Sequence, residues 1–72
     1  MQKVGLRIKE LRKSEKLTQE DLALKANIDR TYINSVENGR RNISIINLEK
    51  ICMAFNVNIK FFFDSENFIT KD

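Results

Sequence analysis

Residues Gln19 to Asn38 read QEDLALKANIDRTYINSVEN, and their apolar spacing permits little besides two short helices around a tight turn. Leu22, Ala23 and Ala26 share one face of the first helix, Ile33 and Val36 share one face of the second, and Ile28 fills the space between them. Two helices crossing steeply approach closely near position 23, so a bulky side chain in place of Ala23 would force them apart. Asn27 falls where the chain reverses, and Asn is among the few residues other than Gly that tolerate the left-handed region. Thr18 caps the first helix, with Asp21 favouring the positive end of its dipole. Asp29 caps the second, and Gly39 follows as its stop. A structural hairpin inside a small bundle would share the two apolar faces and the turn.

The outward face of the second helix points to a more specific role. With Ile33 and Val36 inward, Thr31, Asn34, Ser35 and Asn38 lie opposite, flanked by Arg30 and Tyr32. A merely solvated face would carry Lys and Glu pairs at helical spacing. This one carries short hydrogen-bonding groups, as contact with base edges requires. Arg30, Thr31, Tyr32, Asn34 and Ser35 are the candidate base readers. The Arg30 fork suits guanine O6 and N7, and the Thr31 methyl or Tyr32 ring suits a thymine methyl or the sugar backbone. Gln19 at a helix start, and Arg40, Arg41 and Asn42 after the stop, are the candidate phosphate contacts, which position without specifying.

The chain has 72 residues, no Pro and only two Gly, which fits one domain over 1–72 with a single modest core. Thirteen basic residues against ten acidic leave a net charge of +3. The excess falls in the first helix, where Lys3, Arg7, Lys9 and Lys13 would add long-range attraction to DNA. No apolar run opens the chain and none is long enough to span a membrane, so a cytoplasmic protein is expected. Cys52 shares a helical face with Leu48, Ile51 and Phe55 and reads as core.

The periodicity predicts an all-α fold of five helices. The first spans about Lys3 to Ser14, the two motif helices occupy 19–38, a fourth runs from about Ile45 to Phe55 behind a Ser44 cap, and a short fifth begins after Asn58. Arg12 and Glu37 each lie beside core positions where an unpaired charge would be costly, and are expected to pair with each other. All five phenylalanines fall in the last eighteen residues, and Phe61, Phe62 and Phe63 cannot all face inward on one helix. Ile46, Ile59, Phe63 and Phe68 could hide the excess across a twofold axis, with helices over 44–63 forming a homodimer interface. The alternative is a monomer whose tail folds back over the rings.

From Leu17 to Phe62 the chain resembles the Cro and phage-repressor (XRE-type) superfamily. LTQEDLA and ENGRRNIS, with the small size, are most similar to controller proteins of restriction-modification systems. The resemblance implies a lambda-repressor-like homodimer that binds a palindromic operator in double-stranded DNA and regulates its own promoter. It places base readers at Arg30, Thr31, Tyr32 and Ser35, phosphate contacts near Gln19, Asn38 and Arg40, and a buried ion pair at Arg12 and Glu37. Activators of this superfamily use an acidic patch on the first motif helix, which here makes Glu20 and Asp21 a candidate contact to RNA polymerase. Small prophage repressors and antitoxin-like regulators share the pattern, and the same fold serves in protein-interaction adaptors. The chain has no His, no glycine-rich phosphate loop and no metal-ligand or catalytic cluster, so neither an enzyme nor a cofactor is expected.

Overall fold

The computed structural model describes residues 3–68. Five α-helices follow one another: α1 Lys3–Ser14, α2 Gln19–Ala26, α3 Arg30–Glu37, α4 Ile45–Phe55 and α5 Ile59–Phe63, with a 3-10 turn at Glu66–Phe68. Among the described residues there is no strand. Thr18, Asp29, Ser44 and Asn58 cap α2 to α5, each side chain accepting a backbone N–H from the first turn. At α2 the cap is reciprocal: Asp21 N–H donates to Thr18 Oγ1 at 3.0 Å and Thr18 N–H donates to Asp21 Oδ2 at 2.9 Å.

Helices α1 to α4 all end alike. A left-handed residue, Lys16, Asn27, Gly39 or Asn56, turns the chain. The next N–H then donates back five positions, from Leu17 to Arg12, Ile28 to Ala23, Arg40 to Ser35 and Val57 to Cys52, at 2.9–3.0 Å. Three of these closures tuck an apolar residue, Leu17, Ile28 or Val57, against the core. The fourth, at the end of α3, sends the exposed Arg40 outward instead.

The core gathers inward residues from every helix. Ile8, Leu22, Ile33, Val36, Ile51 and Phe62 are fully buried, and Ala23, Ala26, Leu48, Cys52 and Phe55 join them. Helix α2 lies on α3 and α4, α1 lies on α3, and the 3-10 turn folds back onto α1. Burial pushes the Cys52 thiol up, as for a small apolar group without an activating neighbour.

One of the four basic residues of α1 expected to add attraction to DNA is turned inward instead. Arg7 is buried, and its guanidinium donates to the carbonyls of Phe62 at 2.6 Å, Phe61 at 2.8 Å and Asp64 at 3.4 Å, and to Glu10 Oε1 at 2.6 Å. It therefore closes the end of α5, and its charge is spent inside the protein.

Candidate nucleic-acid interface

Burying Ile33 and Val36 fixes the rotation of α3 and turns its polar face out. Arg30, Thr31 and Asn38 are exposed, and Asn34 and Ser35 are half-buried. Asp29 Oδ1 accepts the Thr31 N–H at 2.8 Å, so the first turn that carries Arg30 is held. After Gly39, Arg40, Arg41 and Asn42 are exposed, and Arg41 lies beside Thr31, Tyr32 and Ser35.

Beneath it lies a buried ion pair. Arg12 Nε donates to Glu37 Oε2 at 2.8 Å and Nη2 to Glu37 Oε1 at 2.9 Å, while Nη1 donates to the Leu17 carbonyl at 2.9 Å. Hydrogen bonding to Glu37 outweighs burial and holds the Arg12 guanidinium above its ordinary value. The pair ties α1 to the end of α3, a structural role.

Gln19 and Asn34 are less free than their sequence positions suggest. Gln19 Nε2 donates to Glu37 Oε1 at 3.1 Å, and its Oε1 accepts from Asn34 Nδ2 at 3.0 Å. Asn34 Oδ1 in turn accepts from Asn38 Nδ2 at 3.1 Å. Each amide keeps a second N–H for an outside partner. Tyr32 leans away from the open face: it is half-buried, its phenol oxygen accepts the Ser44 N–H at 3.1 Å, and the Arg41 guanidinium lies 5.3 Å from its ring centroid. Burial would raise this phenol, but hydrogen bonds from Asn47 and Ser44 and the charge of Arg41 prevail and lower it. Tyr32 thus fastens the basic loop and the start of α4 to α3.

Two residues join the site that sequence reasoning passed over. A cleft of about 410 Å³ beside α3 is lined by Thr31, Tyr32, Ser35 and Arg41 and also by Asn47 and Lys50. Their signal was a polar pair three residues apart, Asn47 and Lys50, on the mostly apolar α4, in INLEK. On the other flank, Gln19, Arg30, Thr31 and Asn34 line a second cleft of about 380 Å³. Glu20 and Asp21 are exposed at the start of α2.

The residues proposed to meet across a twofold axis divide. Ile46 and Ile59 are exposed at 68% and 48% and Phe63 at 37%, and Ile45 and Phe61 on the same two helices are exposed at 81% and 50%. Phe68 is instead half-buried, folded back so that its ring lies 4.8 Å from that of Phe63 and 6.4 Å from that of Phe62. It props Phe63 from within its own chain.

This geometry matches known proteins. The control protein C.MunI of Mycoplasma sp. is 45% identical over 56 residues, 76% of each chain. The restriction-modification controller protein C.AhdI of Aeromonas hydrophila superposes with a TM-score of 0.80 at 39% identity, covering 85% of this chain and 92% of its own. C.Esp1396I bound to a 25 base pair operator site superposes with a TM-score of 0.79 at 45% identity, covering 86% and 82%. The pattern of the helix-turn-helix family matches residues 8–62. With that match over most of its length and the two capped helices in place, the chain belongs to the helix-turn-helix family.

Proposed function

We propose that the protein is a sequence-specific DNA-binding transcription regulator of the restriction-modification controller type. In this reading it binds a palindromic operator as a homodimer and regulates its own promoter. The observation that carries the reading is the exposed polar face of α3, with Arg30 at its tip and Arg40, Arg41 and Asn42 at its end. The operator complex of C.Esp1396I supports it. Arg30, Thr31 and Ser35 read bases, with Asn34 and the edge of Tyr32 beside them. Gln19, Asn38, Arg40, Arg41 and Asn42 hold phosphates, helped by Asn47 and Lys50. Helices α4 and α5, over 44–63, meet a second copy through Ile46, Ile59 and Phe63, with Phe68 as their support. Glu20 and Asp21 face outward, where RNA polymerase would touch them on a promoter. No described helix is long and apolar enough to cross a membrane. A cytoplasmic binding protein without catalytic chemistry is the reading that fits.

A gel-shift titration against DNA from upstream of its own gene, with competitor DNA and at two salt concentrations, tests this. A discrete complex that survives competitor is expected, weakened by salt in proportion to the phosphates contacted. Salt-sensitive binding without sequence preference would overturn the reading.

A further inference from the structure

The amide chain under α3 has a direction, and a buried group sets it. Glu37 is 3% exposed, and its carboxylate takes Arg12 on both oxygens and the Gln19 amide on Oε1. An ionised carboxylate only accepts hydrogen bonds, so Gln19 has to turn its NH₂ toward Glu37 and its carbonyl toward Asn34. Asn34 must then offer NH₂ to Gln19 and its carbonyl to Asn38, which completes the row with its own NH₂. In isolation either asparagine could flip end for end at little cost. Here a flip would set carbonyl against carbonyl.

We infer that Glu37 is a positioning residue for base recognition: through Gln19 it fixes which end of the Asn34 amide faces DNA. Asn34 lines the cleft with Gln19, Arg30 and Thr31, and its NH₂ is on the Gln19 side. Its second N–H is therefore the group presented there, a donor. Such a donor donates to guanine O6 or N7, adenine N7 or thymine O4, and finds no acceptor in the amino groups at adenine N6 and cytosine N4. The buried Arg12–Glu37 pair thereby adds a sequence preference to its structural role. The inference rests on the DNA-reading function proposed above.

Selection of binding sites from a randomised operator pool tests it, comparing the wild type with Gln19→Met and Glu37→Gln, each checked for folding by circular dichroism. Gln19→Met leaves the ion pair intact and frees the Asn34 amide. Its preference for an acceptor edge over an amino edge at one base position should relax by about two- to tenfold, the span of one hydrogen bond, while the position read by Arg30 is unchanged. In Glu37→Gln the remaining oxygen stays on the side of Arg12 Nη2 and the Gln19 amide, and only the Arg12 Nε contact is lost, so the row keeps its direction and the preference at that same position should be retained. An unchanged profile in folded Gln19→Met overturns the inference, as does equal loss of preference at every position. A wild type that selects no sequence would overturn the DNA-reading function itself, and the inference with it. Should Glu37→Gln fail to fold, Gln19→Met alone decides.

Discussion

Arg30 and Asp21 show how a single side chain is committed by its neighbours. Arg30 is exposed on a first turn that Asp29 caps, so its fork is carried on rigid backbone yet free to meet a base. Arg30→Ala should cost about 1–3 kcal/mol of operator binding and relax preference at one base position, read by titration against single-base operator variants. Asp21 is engaged in the cap of α2, and the backbone N–H of Thr18, ahead of its hydroxyl, holds the carboxyl below its ordinary value. A carboxyl depressed by folding stabilises fully above its unfolded value and loses that contribution as pH falls through the folded value. The melting-temperature gap between wild type and Asp21→Ala should therefore be open at neutral pH and close as the pH falls toward about 2.

Helix α1 is held to α3 by a contact that only a missing side chain allows. A Cβ on Gly5 would collide with the Val36 carbonyl oxygen and come within 3.0 Å of its carbon and 3.1 Å of Glu37 Cα, all of them backbone atoms with nowhere to move. Ala in a helix gains about 1 kcal/mol over Gly, whereas forced overpacking costs about 1–3 kcal/mol or more. Gly5→Ala should thus lower the melting temperature, by about 4–8 °C per net kcal/mol in a domain this size, measured by thermal circular dichroism. The helices themselves were legible, because caps, αL residues and apolar period all act within a few positions of one another. Helix α4 could be read as Ile45 to Phe55 from Ser44, Leu48, Ile51, Cys52 and Phe55 alone. The close approach at Gly5, the burial of Arg7 and the inward lean of Tyr32 were not legible. Their partners are backbone carbonyls or N–H groups, which every sequence possesses, so no residue type advertises them. The α3 face was readable because rotation about a helix axis follows from its two apolar residues. The amide row was not, since it depends on rotamers of three side chains across two helices.

At the scale of the molecule, the apolar side chains exposed on α4 and α5 are the proposed seam between two copies. The domain measures 39 × 25 × 23 Å with a radius of gyration of 11.4 Å. A chain this short buries only about 60% of its unfolded surface and gains from further burial. Two such bodies side by side are of the size that brings paired α3 helices to the roughly 34 Å repeat of duplex DNA. Ile46 is 68% exposed within one chain, so Ile46→Asp should leave the fold intact while shifting the species in sedimentation equilibrium from dimer to monomer and weakening operator binding in parallel. An unchanged mass would count against α4 as the interface.

Arg7 gives the chain a clock. Its carbonyl partners at Phe61, Phe62 and Asp64 lie 54 to 57 positions downstream, so during synthesis the first helix emerges long before the groups that satisfy it. Until they arrive, the Arg7 guanidinium has Glu10 of its own helix to pair with but none of the carbonyls that it closes. A ribosome that stops short of Phe61 therefore releases a chain with every residue of the α3 face but without the carbonyls that fasten Arg7 to α5.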